Sequence, residues 1–296
     1  MFKVKPRNNS DEERRKVRGV IVKNRYYKDE GTDYVFKRLA EEFRALSVDV
    51  ELTDAFEILE RESLPRFAVY WDKDYASARL LEKRGVRVFN PSASIMKCDD
   101  KYVTMAELDG EVEFAETVTM PMKYPVNQPK DVGLIERAEK LGYPLVAKFS
   151  VGSLGNGVFL IKDRDGLEEF YRKNADCGRI MFQKYIADSR GRDVRIYVVG
   201  GKFAGAVKRV NRASFKSNAE AGAVTENFAP NAELVSTAEK VGSLLGLDYG
   251  SVDFFDTKTP IVNEVNSNAY FKDAERLGKI NIARKYAEYV REVVSC

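Results

Sequence analysis

The sequence predicts an α/β protein of two domains, the first built on a small parallel sheet. The chain has 296 residues, which is long for a single core. Up to about residue 90, short apolar strands alternate with amphipathic helices, a pattern typical of βαβ units. Hairpin signals follow, the clearest being Gly200-Gly201. We therefore expect a charged tail over 1–16, a first domain over 17–93 and a second over 94–296.

The elements of the first domain follow from its apolar periodicity. Strands are predicted over 17–24, 48–52, 66–71 and 86–89. Helices are predicted over 33–46 and 74–85. In the first helix one buried face is expected to contain Val35, Leu39, Phe43 and Leu46.

The second domain is predicted to mix helices with strands and hairpins. Its helices are expected over 94–110, 128–142, 166–174, 233–247 and 275–294. Its strands are expected over 144–150, 157–161 and 179–186, with hairpins over 192–210 and 249–266. The second hairpin would turn at Asp256–Pro260.

Composition excludes several kinds of function. The absence of histidine removes Ser-His and Cys-His pairs and histidine metal sites. A net charge of +3 does not favour nucleic acid or membrane as a partner. The three cysteines are scattered and match neither a disulfide framework nor a zinc pattern, which favours a cytoplasmic protein. Its chemistry is expected to use carboxylates, lysine, arginine, backbone amides and oxygen-bound metals.

The segment "AKFSVGSLGNGVFLI" predicts a loop that covers phosphates. Its glycines would let backbone N–H groups point into one concavity, and Lys148 would reach the phosphates from the preceding strand. The spacing matches neither a P-loop nor a dinucleotide fingerprint. The loop residues are Gly152, Ser153, Gly155 and Gly157. Alone, the loop is equally consistent with a mobile surface hairpin.

The hairpin over 249–266 places hard oxygen ligands together. Glu264 and Asn266 share a strand face because they are two residues apart, and the turn brings Asp253 close across the ladder. Such a set suits Mg²⁺ held with substrate phosphates. The alternative is the polar outer face of a solvated hairpin. It is weakened by the apolar residues of the opposite face, namely Val252, Phe254 and Val265.

The hairpin over 192–210 would present a charged face opposite an apolar one. Val194, Ile196 and Val198 would face the core, and Asp193 and Arg195 the other side.

A tight turn in this hairpin would pair Asp193 with Lys208. Strict pairing then directs Arg209 away from Arg195, so both can serve one site only with a bulge or bend. The alternative is an exposed sheet face with ordinary salt bridges.

From about Lys97 onward the sequence resembles a RimK-type ATP-grasp enzyme. The resemblance depends on eight segments in the family's order: "CDDKYVT", "PLVAKFSVGSLGNGVFLI", "FQKYI", "RDVRIYVVGG", "AVKRV", "FKSN", "SVDFF" and "NEVNSN". It implies a two-lobed α+β grasp, with lobes over about 94–185 and 186–296, behind a small N-terminal α/β domain.

The resemblance also implies a nucleotide site. Lys101 and Lys148 would contact the ATP phosphates beneath the glycine loop. Asp193 would hold the ribose. The adenine slot would be lined, mainly by main chain, by Gln183, Lys184, Tyr185 and Ile186. The family's Arg-Ser-Asn segment corresponds here to Lys216, Ser217 and Asn218.

The implied catalytic groups lie on the hairpins. Arg195 and Arg209 would sit near the transferred phosphate and the acyl group. Asp253, Glu264 and Asn266 would bind Mg²⁺, with Mn²⁺ as an alternative.

The implied reaction joins a carboxylate to an amine. ATP would phosphorylate a small-molecule or peptide carboxylate, an amino acid or amine would attack the acyl phosphate, and an amide would form with ADP and phosphate. "NSNAYFKD" replaces the Ser-Pro-Gly-like turn of RimK, so we expect a substrate other than a ribosomal-protein tail. Dimers and tetramers both occur in such families, and the sequence does not decide whether this chain is a homo-oligomer.

Other functions remain open at this stage. Some grasp-fold proteins are kinases that use the same lysines and metal site on a hydroxyl acceptor. A non-catalytic ATP-binding module is a further alternative. Such a module could lose its metal ligands at no cost, so the presence of all three ligands here argues against it.

Overall fold

The structure is a computed structural model. It describes residues 18–27, 29–119, 132–152, 155–174, 177–218, 221–277 and 280–295. The chain divides into compact units, the first formed by Met1–Ala93 with Tyr270–Cys296 and the second by Ser94–Ala269. None of the helices in these described ranges is long and apolar enough to cross a membrane.

The secondary structure alternates strands and helices in the first unit and contains hairpins in the second. The strands are β1 (Arg18–Lys23), β2 (Asp49–Asp54), β3 (Phe67–Trp71), β4 (Arg87–Phe89), β5 (Thr117–Thr119), β6 (Leu145–Phe149), β7 (Val158–Ile161), β8 (Ile180–Lys184), β9 (Arg192–Val199), β10 (Lys202–Val210), β11 (Val224–Asn227), β12 (Tyr249–Phe255) and β13 (Val262–Asn266). The helices are α1 (Glu30–Ala45), α2 (Ala55–Leu59), α3 (Tyr75–Lys83), α4 (Ser92–Asp99), α5 (Lys101–Glu107), α6 (Val132–Glu139), α7 (Arg164–Asn174), α8 (Ala232–Leu245), α9 (Lys272–Arg276) and α10 (Ile282–Ser295). A 3₁₀ turn, Ala187–Ser189, separates β8 from β9.

The first unit contains the predicted parallel sheet, with strand order β2-β1-β3-β4. Helix α1 begins at the N-cap Asp29, whose carboxylate accepts the Thr32 N–H at 2.8 Å. Its buried stripe includes Val35, Leu39 and Phe43, as the periodicity predicts.

The C-terminal segment belongs to the first unit, whereas sequence analysis assigned it to the second domain. Helix α10 buries Ile282, Tyr286 and Val290 along one stripe and packs against α1. Arg38 of α1 also contacts Glu275 of α9 at 3.1 Å. The single closing helix predicted over 275–294 is wrong, because α9 ends at Arg276 and α10 begins at Ile282.

The second unit contains antiparallel sheets with strand orders β5-β8-β6-β7 and β11-β10-β9-β12-β13. The first sheet shares a core with α6 and α7. The second shares a core with α8, and the inward faces predicted for both hairpins lie in it. The core residues that confirm this prediction are Val194, Ile196, Val198, Val252, Phe254 and Val265.

The helix predicted over 94–110 is broken at Asp100. The Asp100 backbone is extended, and its side chain caps α5 by accepting the N–H groups of Tyr102 and Val103 at 2.8 and 3.2 Å. Lys101 therefore begins a new helix, and its N–H donates to the Ser150 carbonyl at 2.8 Å. The break places Lys101 beside the glycine loop.

Candidate active site

A bulge in β10 determines which side chains face the site. The register shifts between Phe203 and Gly205, so Ala204 is an extra residue. Beyond it Arg209 pairs with Asp193, and the predicted pairing of Asp193 with Lys208 is wrong by one residue. Bulges redirect side chains in this way. The bulge thus brings both predicted catalytic arginines, Arg195 and Arg209, onto one face of the sheet. Strict pairing without a bulge would have left them on opposite faces.

Asp253 lies between both arginines. Its carboxylate accepts Arg195 Nε and Nη2 at 2.8 and 2.7 Å and Arg209 Nη2 at 2.8 Å. Burial disfavours the charged form, but the two guanidinium groups outweigh it and lower the pKa of Asp253 to about 2. This buried cluster is a fixed charge arrangement rather than an exposed sheet face.

Asp193 is engaged within the protein on both carboxylate oxygens. Arg209 donates to both oxygens, and Ser217 Oγ donates to Oδ2 at 2.5 Å. Asp193 is buried, which raises the pKa of its carboxyl. This geometry does not support the ribose contact that the resemblance implies, because the oxygens needed for it hold Arg209 in place.

The hairpin of β12 and β13 brings the predicted metal ligands onto one face. Asp253 pairs with Glu264, and Ser251 pairs with Asn266. Ser251 is buried, and its Oγ lies 3.4 Å from Asp253 Oδ1. Sequence reasoning missed Ser251, although its position two residues before Asp253 on one strand could have indicated it.

Asn263 occupies a second bulge in this hairpin. Asp253 pairs with Glu264 but Phe254 pairs with Val262, which leaves Asn263 as an extra residue of β13. Its Oδ1 accepts Lys148 Nζ at 2.9 Å. Strand alternation directs Asn263 away from Glu264, so the sequence contained no signal for this contact.

Lys101, at the start of α5, and Lys148, on β6, converge on β13. Lys101 Nζ lies 3.0 Å from Glu264 Oε1 and donates to the Gly152 carbonyl at 2.9 Å. Lys148 is buried, and the pKa of its ammonium is lowered to about 8. Burial is the main cause, the negative charge of Glu264 opposes it, and the positive charge of Lys101 adds to it.

The glycine loop joins antiparallel strands β6 and β7, as predicted. Gly152, Gly155 and Gly157 have φ of 147°, 71° and 81°. At Gly157 a Cβ would lie 2.5 Å from the Phe149 ring, so glycine is required there. Ser153, the other predicted loop residue, lies outside the described residues.

The segment over 216–218 contacts this loop. Lys216 Nζ donates to the Gly155 carbonyl at 2.9 Å. A Cβ added at Gly155 would lie 2.8 Å from Asn218 Oδ1. Lys101 and Lys216, both predicted to belong to the nucleotide site, therefore contact main chain of the loop.

The predicted adenine segment runs from the end of β8 toward the 3₁₀ turn. Gln183 is buried and donates to Thr117 Oγ1 at 3.0 Å, so its side chain serves packing. Lys184 is exposed, and its N–H donates to the Glu116 carbonyl at 2.8 Å. Tyr185 and Ile186 are half-buried. The side chain of Gln183 and the N–H of Lys184 are thus engaged within the protein.

The residues fit a divalent cation shared with phosphate. In the described ranges, no group of three or more His, Cys, Asp or Glu side chains could hold a metal ion by itself. Glu264 is partly exposed, and Asn266 has a buried Nδ2 with no hydrogen-bond partner. Rotation of this amide by about 180° would place its oxygen there, so the position also suits an oxygen ligand. Mg²⁺ commonly takes one or two carboxylates and completes its shell with phosphate and water.

Comparison with known proteins gives consistent results. A family model described as RimK-like ATP-grasp domain matches residues 99–290. Human N-acetylaspartylglutamate synthase A is 30% identical over 235 residues, which cover 78% of this chain and 59% of that protein. Human beta-citrylglutamate synthase B is 29% identical over 253 residues, covering 84% and 64%. The chain thus spans about three fifths of the length of these relatives.

A solved structure shows the same fold. D-alanine–D-alanine ligase from Bacillus anthracis, complexed with ATP, superposes with a TM-score of 0.72 at 20% identity, over 94% of this chain and 97% of that one.

Proposed function

Because the chain belongs to the RimK-like ATP-grasp family, we propose that it is an ATP- and Mg²⁺-dependent ligase that forms an amide bond between a carboxylate and an amino acid. The observation that carries the proposal is the meeting of Lys101 and Lys148 from one lobe with Glu264 and Asn263 from the other. Two cations and a carboxylate at one point are suited to a phosphate chain and its metal.

The lysines would bind phosphate oxygens beneath the glycine loop. Glu264 and Asn266 would hold Mg²⁺, with Asp253 adjoining them, and the bound metal would neutralise phosphate charge. Arg195 and Arg209 are fixed by Asp253 and Asp193, so their remaining N–H groups are preorganised for an anionic acyl phosphate. Catalysis by positioning and charge requires no histidine, in agreement with the composition.

Glutamate is the amino acid that we propose to test first. Both human relatives are named for a compound in which glutamate is joined to an acyl group. The identity of the carboxylate is left to the experiment. We further propose a reducing, cytoplasmic setting, because the three cysteines are scattered and match neither a disulfide framework nor a zinc pattern.

The test measures ADP release with ATP, Mg²⁺, glutamate and a panel of carboxylates, followed by mass spectrometry. The expected product has the mass of acid plus glutamate minus water. Glu264→Gln should reduce turnover by roughly a hundredfold or more, whereas Glu226→Gln, at an exposed position of β11, should not. A phosphate ester without any amide would overturn the ligase proposal in favour of a kinase.

A further inference from the structure

Asn263 adjoins the proposed metal ligand Glu264 but contacts a different lysine. Asn263 Oδ1 accepts Lys148 Nζ at 2.9 Å, and Glu264 Oε1 lies 3.0 Å from Lys101 Nζ. Consecutive residues of β13 therefore hold the two lysines expected at the phosphates. Without the bulge, the alternation of side chains along β13 would have directed Asn263 to the face opposite Glu264.

The two acceptors differ in charge, and this difference has a physical consequence. A carboxylate beside a buried ammonium forms a strong pair that neutralises its charge and is costly to break. An amide oxygen fixes the position of the ammonium without neutralising it, so the negative charge that acts on Lys148 is that of Glu264, which is paired with Lys101. A phosphate can then approach Lys148 without displacing a counter-ion. The contact also joins β6 of one lobe to β13 of the other, 115 residues apart.

We propose that Asn263 is a positioning residue for nucleotide binding, which orients the Lys148 ammonium across the lobes and, being neutral, keeps its positive charge available to the ATP phosphates. The inference deepens the proposed ATP-dependent function and rests on it. It is specific in chemistry: a short neutral acceptor is required at position 263, and an acidic one is harmful.

The test compares Asn263→Asp and Asn263→Ser with the unchanged protein. Asn263→Asp adds one negative charge at nearly constant volume, and Asn263→Ser keeps a short neutral acceptor. Asn227→Asp, at an exposed position of β11, is the matched control for the charge change. A non-hydrolysable ATP analogue is titrated by calorimetry, KM for ATP and kcat are measured, and thermal unfolding is recorded for every variant.

We expect Asn263→Asp to weaken analogue binding and to raise KM for ATP by about tenfold or more, because the new carboxylate neutralises Lys148 and repels phosphate. Its thermal unfolding should stay within a few degrees of the unchanged protein. Asn263→Ser should retain affinity within a few-fold, and Asn227→Asp should match the unchanged protein.

Wild-type affinity in Asn263→Asp would overturn the inference. Equal losses in the aspartate and serine variants, parallel to losses of thermal stability, would also overturn it, since they would indicate a structural role. If Asn263→Asp does not fold, Asn263→Leu replaces it: a similar shape without an acceptor should weaken binding, and unchanged affinity would refute the role. A protein that binds the analogue with the expected ranking but forms no amide would refute the ligase proposal alone.

Discussion

Replacing Lys148 with methionine should make the protein more stable while weakening nucleotide binding. Burial lowers the pKa of Lys148 from 10.5 to about 8, which corresponds to a destabilisation of about 3 kcal/mol at neutral pH, at about 1.4 kcal/mol for each tenfold. The variant also loses the bond to Asn263, worth about 1 kcal/mol. The net gain of about 2 kcal/mol should raise the unfolding temperature by about 4–8 °C.

The pH dependence of this gain has a definite sign. Lys148 binds a proton less readily in the folded than in the unfolded protein, so the cost of its charge is present in full below pH 8. The cost declines as the pH rises from about 8 to 10.5, where the lysine becomes neutral in both states. The stability advantage of Lys148→Met should therefore be largest at pH 7 and fade across that interval.

The assay is thermal unfolding of both proteins at pH 7 and pH 10, with titration of an ATP analogue at pH 7. Lys162→Met, at an exposed lysine that directly follows β7, is the matched control and should change neither property. If Lys148→Met is no more stable than Lys162→Met, or if its advantage does not shrink at pH 10, the reasoning about a strained buried charge is refuted. Unchanged affinity would refute the phosphate role of Lys148.

Three further predictions concern the remainder of the second unit. Asp253→Asn should lower the free energy of unfolding, measured with urea, by about 3–5 kcal/mol, since it leaves Arg195 and Arg209 without their shared counter-ion. The pKa of Asp253 is lowered from 3.8 to about 2, so the contribution of its carboxylate to stability should disappear as the pH falls through that interval. Deletion of Ala204 should remove the bulge and keep Arg209 opposite Asp193, because the residues beyond Ala204 already pair without it; analogue binding in calorimetry should therefore be retained, and its loss would refute this reading of the register. Gly157→Ala should destabilise by about 1–3 kcal/mol in urea unfolding, because φ is 81° and the Cβ would meet Phe149, whereas Gly178→Ala, with φ of 75° and open space, should cost less.

Periodic patterns determined how far the sequence could be interpreted. The parallel sheet and the inward faces of both hairpins repeat over many residues, so local chemistry predicts them. The positions of Asn263 and Arg209 depend on single extra residues, and a shift of one residue reverses every side chain beyond it. Asp100 is a similar case, because its side chain can cap a new helix and its position also fits a longer helical pattern. In the structure it caps the helix that begins at Lys101.

The sequence predicted which residues adjoin on the hairpin of β12 and β13 better than it predicted their contacts. The sequence selected Asp253 and Glu264 correctly as neighbours across a ladder. It did not indicate that Asp253 would be shared by Arg195 and Arg209, or that Asp193 would serve Arg209. Such ion pairs depend on which side chains long-range folding brings together under burial, and a pattern within one strand does not contain that information.

The return of α9 and α10 to the first unit bears on how this chain acquires its structure. The ion pair of Arg38 with Glu275 joins residues 237 positions apart, and the stripe of α10 completes a core begun by α1. Contacts of such separation form slowly, because a long loop must close before they stabilise anything. During synthesis the intervening unit contains its own cores and can fold first. Until α10 has been synthesised, the face of α1 that packs against it would remain exposed. The nascent chain is therefore most prone to aggregate during that interval.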